Sequence, residues 1–396
     1  MKRKIAAAFT ALCIFCSSVS VSAYAAPENA ADTQENSAQS SDNPLNLTAK
    51  AAVLMNGETG QIVYSLNSQA QLPEASITKV MTMLLIFEAY DAGKIKMDEK
   101  VTCSEYAASM GGSQIWLEPG EQMTVDELIK AAFVGSANDA CVALGEHLAG
   151  SNEAFVSMMN KRAEELGMIN TFYVNCTGLD AAGHVTSAQD IAIVSAELLR
   201  HEEVLKYTTI WMDTLRGGEL QLSNTNKLLK QYNGTIGLKT GTTSQAGCCI
   251  SAAAKRDNMT MIAVILGAPD SKSRFSDAKK LLDYGFANWE LADTSQLTVD
   301  LPEVAVTNGM EKKVGAYVDM AGSVLVEKGK AKDIRVNVDI AESLEAPVLL
   351  DQCIGKVTLM LGNETLGSYD IRTDRGSEKI TFSSAFGELI KGIAQM

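Results

Sequence analysis

The chain has 396 residues, with 34 basic against 48 acidic side chains, a net charge of −14, 46% apolar residues and 21% charged ones. That length accommodates a domain with a full core and a smaller second domain, and the composition is that of an ordinary soluble globular protein. An acidic balance without a Lys/Arg cluster excludes a nucleic-acid binder, whose phosphate contacts need concentrated positive charge. The histidines, His147, His184 and His201, show no HExxH spacing, which excludes the common zinc-protease arrangement. Cys13 and Cys16 make the C-x-x-C pair at the extreme N-terminus; no zinc ribbon or thioredoxin-like pair follows.

Residues 1–25 read as an export signal: Lys2, Arg3 and Lys4, an apolar run from Ile5 to Phe15, and the small-residue site Ala23-Tyr24-Ala25. Residues 26–46, rich in Ala, Ser, Asn, Gln, Asp and Glu, bury too little to order themselves and are expected to form a disordered tether. Of the remaining cysteines, Cys141 falls in an apolar helical pattern and Cys248-Cys249 in an apolar strand pattern, which favours buried free thiols.

Globular patterning starts near Leu47. Ala51–Met55 and Gln61–Ser65 flank Asn56-Gly57-Glu58-Thr59-Gly60 and predict a hairpin. Ser76–Tyr90 predicts a helix that is apolar almost all round, stopped by Gly93. Thr124-Val-Asp-Glu127 is a capping box opening a second helix. Helices follow over about Asn138–Leu148 and Asn152–Leu166, the latter closed by Gly167. The period then shifts to strands at Ile236–Thr240, Gly247–Ala254 and Met259–Leu266, and Ser276 is expected to cap a helix ending near Trp289. From Leu297 short alternating stretches (Val314–Val318, Ile334–Val338, Lys356–Leu361, Leu366–Ile371) separated by turn residues predict a second, all-β domain. In the tail, Phe386, Leu389, Ile390 and Ile393 share one helical face. An interfacial anchor and simple packing or fraying both fit its few, balanced charges.

Three short motifs carry chemistry: Ser76-Ile77-Thr78-Lys79, Ser136-Ala137-Asn138 and Lys239-Thr240-Gly241. The SxxK pattern recurs at Ser276/Lys279, where a capping serine and an exposed lysine explain it. Three-residue spacing on a helix puts Ser76 and Lys79 on one face. In the first helical turn the helix dipole disfavours a cation, and apolar surroundings would lower the ammonium pKa until a neutral amine can take the proton of Ser76. Taken singly, the pair also fits a cap and a snorkelling lysine. Ser136 and Asn138, at a break between helices, likewise fit caps or a proton-passing hydroxyl and a carbonyl-holding amide. Lys239-Thr240-Gly241 lies on a strand whose edge can receive an extended peptide. Gly241 permits close approach, the lysine and hydroxyl suit a terminal carboxylate, and the strand can offer an N–H to an oxyanion. Together these parts describe a serine acyl-transfer site without histidine.

The order SxxK, SxN, KTG is that of class A β-lactamases and penicillin-binding proteins. The chain resembles the low-molecular-mass penicillin-binding proteins of the serine D-alanyl-D-alanine carboxypeptidase family (peptidase family S11). Further family-like stretches are Glu74–Thr82, Gly111–Gly120, Ser136–Leu144, Asn175–Leu179 with His184, and Ser273–Ala278 leading to Asp283–Phe286. The resemblance implies an α+β fold: a β-lactamase/transpeptidase-like catalytic domain (an antiparallel sheet flanked by helices) over 47–292, a smaller β-sandwich domain over 296–376, and an amphipathic tail over 382–396 in the position of a membrane-anchoring helix. It implies removal of the terminal D-alanine from peptidoglycan stem peptides, outside the cytoplasm, with β-lactams as covalent inhibitors and no metal or other cofactor. Ser76 would be acylated, Lys79 would accept its proton and Ser136 would relay protons. Asn138, Lys239, Thr240 and Gly241 would hold substrate, the N–H groups of Ser76 and Thr242 would form the oxyanion hole, and Arg274 would meet the substrate carboxylate.

Three other functions compete. A class A β-lactamase needs an ExxLN glutamate between the second and third motifs, and none of the glutamates there fits that pattern. A silent wall-binding protein has no need of Ser76, Lys79, Ser136 and Lys239 together. A D,D-endopeptidase uses the same chemistry and differs in the peptide its groove admits.

Overall fold

The computed structural model describes residues 43–394; the expected export segment and nearly all of the expected tether lie outside the described residues. The central sheet is antiparallel and has five strands: β1 (Ala51–Asn56), β2 (Ile62–Leu66), β3 (Thr235–Thr243), β4 (Gly247–Arg256) and β5 (Met259–Ala268). Their spatial order is β2-β1-β5-β4-β3, so β3, which carries Lys239-Thr240-Gly241, is an edge strand. The helices that matter for the site are α1 (Lys79–Asp91), α2 (Val125–Lys130), α3 (Asn138–Ala149), α4 (Asn152–Glu165), α5 (Ala188–Leu199) and α6 (Ser271–Asn288).

Both faces of the sheet are covered, which is why its strands read as nearly continuous apolar runs. Ala51, Val53 and Met55 with Ile262 and Val264 face the core built on α1, α3 and α5. Their alternates Ala52, Leu54, Met261, Ala263 and Ile265 pack on Phe275, Ala278, Leu281 and Leu282 of α6. Helix α1 lies inside the larger core, with every residue from Lys79 to Phe87 buried, and Gly93 closes it at φ +69°. The expected single helix from Ser76 is instead two pieces: a 3₁₀ turn over Ala75–Thr78, then α1. The capping box at Thr124 and Glu127 opens α2. Helix α5, absent from the sequence reading, starts at Ser187, whose hydroxyl accepts from Asp190 N–H at 3.1 Å.

The expected cap at Ser276 is corrected. Asp270 caps α6, accepting from Ser273 N–H at 2.8 Å, and Ser276 is an exposed residue inside the helix. The helix must start there to place Arg274, Phe275 and Ala278, spaced three and four apart, against the sheet. It ends at Asn288, and Trp289–Asp293 continues as a strand paired with Ser323–Glu327. The remaining C-terminal part is all-β. A four-stranded sheet of Ala316–Val318, Glu364–Thr373, Cys353–Leu361 and Arg335–Ile340, and a three-stranded one around Val304–Thr307, close on a core that includes Val304, Val314, Val357, Leu359 and Ile371. Helix α7 (Phe382–Ala394) follows.

Cys103, Cys141, Cys176, Cys248 and Cys249 are buried free thiols and Cys353 is exposed. Burial pushes the Cys103, Cys141 and Cys249 thiols up to about 11, so they behave as small apolar groups.

The reassigned cap is testable by urea unfolding. Asp270→Ala should destabilise by about 1 kcal/mol, whereas Ser276→Ala should stay within about 0.5 kcal/mol of the parent.

Candidate active site

Ser76 sits on the 3₁₀ turn that leads into α1, directly after Ala75, a non-glycine residue at φ +52°. Two glycines make room for that turn. A Cβ on Gly178, itself at φ +83°, would lie 1.9 Å from Ala75 O, and a Cβ on Gly241 would lie 2.7 Å from Ser76 N. The edge strand β3 therefore packs its backbone directly on the backbone of the serine, which only glycine at position 241 permits.

Lys79 is 1% exposed, so it is no snorkelling lysine. Its Nζ lies 2.9 Å from Ser76 Oγ, 2.6 Å from Asn138 Oδ1 and 2.7 Å from Thr177 O. The amide orientation of Asn138 is set by its Nδ2, which donates to Gly111 O at 2.7 Å. Two of the three lysine partners are thus obligate acceptors, and only the Ser76 hydroxyl can donate. An ammonium can donate to all three oxygens, and a neutral amine serves the two carbonyls with its N–H groups and takes the Ser76 proton on its lone pair. Burial is the leading cause that lowers the Lys79 pKa, which favours that form.

Neither Ser136 nor Asn138 caps the start of α3. The cap position of α3 is Ala137, without a side-chain bond. Ser136 closes a wide π-type turn (Ala131–Gly135) in the left-handed region at φ 60°, ψ 28°, a conformation that non-glycine residues adopt where the surroundings impose it. Its hydroxyl is not used in any hydrogen bond among the described residues, although the residue is buried. The next residue, Asp139, accepts from Ile115 N–H and Leu117 N–H at 3.0 and 3.1 Å and ties the Gly111–Gly120 loop to α3.

Lys239 is also 1% exposed and donates to Thr240 O at 2.9 Å. Burial, and then the positive charge of Lys79, hold its pKa well below the usual lysine range. Thr240 Oγ1 lies 2.5 Å from Thr225 Oγ1. Arg274, at 5% exposure, lies behind the strand: Nη1 donates to Gly241 O at 3.0 Å, Cys249 O at 3.2 Å and Thr242 Oγ1 at 3.2 Å, and Nη2 donates to Ser271 Oγ at 3.2 Å. The guanidinium braces the Gly241–Thr242 backbone, while its Nε is buried without a hydrogen-bond partner among the described residues.

The SxxK serine and lysine, the SxN asparagine and the KTG strand thus converge on one point, and the second SxxK pair does not join them: Lys279 reaches Gln231 Oε1 at 3.3 Å on the surface. The sequence matches the family described as D-alanyl-D-alanine carboxypeptidase over residues 35–270. The chain belongs to the S11 family of D-alanyl-D-alanine carboxypeptidases. Residues 298–379 match the C-terminal domain of penicillin-binding protein 5. Similar S11 relatives include the D-alanyl-D-alanine carboxypeptidase DacF of Bacillus subtilis, 42% identical over 84% of this chain and 87% of that protein, and DacC of Escherichia coli, 32% identical over 80% and 81%. Among solved structures, penicillin-binding protein 5 of Haemophilus influenzae superposes with a TM-score of 0.77 at 33% identity, covering 84% of this chain and 98% of that one. Penicillin-binding protein D2 of Listeria monocytogenes, solved in its ampicillin-bound form, matches at a TM-score of 0.54 and 35% identity over 61% of this chain and 99% of that one.

Sequence reasoning missed four contributors to this S11 site: the Thr177 carbonyl, Gly178, the strained Ala75 and Thr225. The Thr-Gly pair at 177–178 signals a tight turn, and Asn224-Thr225-Asn226 is a polar cluster just before a strand. Nothing in the sequence pairs either with Ser76 or Thr240.

The coupling between the two buried lysines can be read by NMR titration of their Nζ groups. Lys239 should titrate below the ordinary lysine range, and Lys79→Met should raise its pKa, because removing a like charge favours the ammonium. A Lys239 that titrates as a free lysine would contradict the placement.

Proposed function

We propose that the chain removes the terminal D-alanine from peptidoglycan stem peptides ending in D-Ala-D-Ala, through an acyl-enzyme on Ser76. The observation that carries this is the placement of a buried lysine beside the serine: Lys79 Nζ stands 2.9 Å from Ser76 Oγ, with its other two contacts spent on carbonyls and burial favouring its neutral form. Ser76 Oγ attacks the carbonyl between the two D-alanines as its proton passes to Lys79. The N–H groups of Ser76 and Thr242 receive the oxyanion; Gly241 allows the strand to come that close. Ser136, whose hydroxyl is uncommitted, returns the proton to the departing amine, so free D-alanine leaves. Water then attacks the ester and releases the shortened peptide, restoring Ser76. Asn138 holds the substrate peptide.

Lys239, with the paired hydroxyls of Thr240 and Thr225, takes the substrate's terminal carboxylate, and Arg274 keeps Thr242 in place for it. β-Lactams acylate the same serine, a reading supported by the ampicillin-bound Listeria relative. The carboxypeptidase relatives favour this over an endopeptidase. The site works outside the cytoplasm, where peptidoglycan lies, in line with the export signal read at 1–25. On helix α7, Phe382, Phe386, Ile390 and Ile393 are all half or more exposed and recur on one face. We assign to them a peripheral membrane contact; among the described residues no helix is long and apolar enough to cross a membrane.

Two measurements test this reading. D-Alanine release from a free-carboxylate peptide should exceed release from the terminally amidated peptide by the equivalent of about 1.5–3 kcal/mol, and Thr240→Val should narrow the gap; equal turnover would favour the endopeptidase. Acylation should rise with pH through a value below that of free lysine, because the lowered Lys79 pKa makes the neutral amine available early; a rate flat until the free-lysine range would remove Lys79 as base. For the tail, sedimentation with anionic vesicles should be lost in Phe386→Asp/Ile390→Asp.

A further inference from the structure

The turn that carries Ser76 is held from behind by a second polar group, outside the three motifs. Glu74 is completely buried, two residues before the serine, and neither carboxylate oxygen has a hydrogen-bond partner among the described residues. Its Oε1 lies 3.4 Å from Nε2 of His184, which is itself 4% exposed. The same Nε2 lies 2.8 Å from Oγ1 of Thr78, two residues after the serine, and that hydroxyl donates to Ala75 O at 3.0 Å. One imidazole nitrogen therefore touches both ends of the five-residue turn 74–78 and reaches, through Thr78, the carbonyl of the strained Ala75.

The other nitrogen fixes the tautomer. His184 Nδ1 is 3.0 Å from Val174 N, and a backbone N–H can only donate, so Nδ1 accepts and the ring proton is on Nε2. Tyr173 packs edge-on against the ring, 5.9 Å between centroids, and holds its plane. The single Nε2–H is thus aimed at Thr78 and Glu74. A fully buried carboxyl with so little hydrogen bonding costs stability, and it sits where the backbone is also strained at φ +52°. Stability given up next to a nucleophile is the signature of a group retained for geometry.

We propose that Glu74 and His184 are positioning residues that clamp the nucleophile turn from both sides and set the distance from Ser76 Oγ to Lys79 Nζ. This rests on Ser76 being the acylated residue. Neither side chain touches substrate: the clamp acts through Ala75 and Thr78 on the two groups that do.

Two substitutions at His184 separate the clamp from simple packing. The amide of His184→Gln reaches the Nε2 position and keeps a donor for Thr78 and Glu74. The amide of His184→Asn reaches only the Nδ1 position and serves Val174 alone. In stopped-flow acylation by a penicillin, with binding and acylation constants resolved, His184→Gln should stay within about threefold of the parent. His184→Asn should lose roughly ten- to a hundredfold in the acylation constant, with the binding constant nearly unchanged. Glu74→Leu should slow acylation similarly while raising Tm, since it removes an unsatisfied buried carboxyl. Amide exchange at Ile77 and Lys79 reads the turn without any acylation: it should quicken in His184→Asn and not in His184→Gln. Gln and Asn variants that behave alike in both assays, or a Glu74→Leu protein that loses Tm and acylates normally, would overturn the clamp. A parent that is acylated at a residue other than Ser76 would instead refute the proposed function, and the exchange data would still decide the clamp.

Discussion

The whole site depends on burying an amine. Lys79 begins a helix whose next eight residues are all buried, where water cannot stabilise an ammonium and the positive end of the helix opposes one. A buried lysine with poor partners would be a liability. This one has two carbonyl oxygens and a hydroxyl within hydrogen-bond reach, so burial can favour the neutral amine without leaving a donor or acceptor stranded. Lys239, also buried, has a depressed pKa of its own, set first by burial and then by the nearby Lys79. Two lysines that would be ordinary surface cations elsewhere are thus both held below the usual lysine range, burial being the leading cause for each.

Desolvation of that kind requires close packing, and the glycines supply it. Gly241 lets the edge strand lie on the backbone of Ser76, and Gly178 lets the Thr177 turn lie on Ala75. The Thr177 carbonyl that accepts from Lys79 comes with the second of these close approaches. Arg274 supports the arrangement from the far side of the sheet, binding the carbonyls of Gly241 and Cys249. The helix that carries it is positioned by the Asp270 cap and by an apolar face three and four residues apart. Site and fold are therefore one packing problem: the sheet edge, the nucleophile turn and α3 each need the other two.

Much of this was legible in the chain, for identifiable reasons. Ser76, Lys79, Asn138 and the KTG strand form short motifs of unusual residue types, and the structure brings those residues to one point. The main strands and α2 to α4 follow from hydrophobic period and from caps with local signatures, such as Thr124 with Glu127. Local signatures also mislead: Ser276 looks like a cap, but Asp270 wins because only that start turns Arg274 and Phe275 inward. Arg274 matched a motif, but its position behind the strand depends on sheet order, which no local pattern encodes. Thr177, Gly178 and Thr225 act through backbone or through a partner distant in sequence. Glu74 and His184 are 110 positions apart, and a sequence read alone gives no reason to join them.

Which serine is acylated decides the assignment of nucleophile and base. Mature protein incubated with a penicillin and digested should carry the adduct on the peptide containing Ser76, in one copy per chain, and Ser76→Ala should carry none. An adduct that persists in Ser76→Ala, or that maps to Ser136 or Ser276, would contradict the assignment of nucleophile and base on which the site has been built.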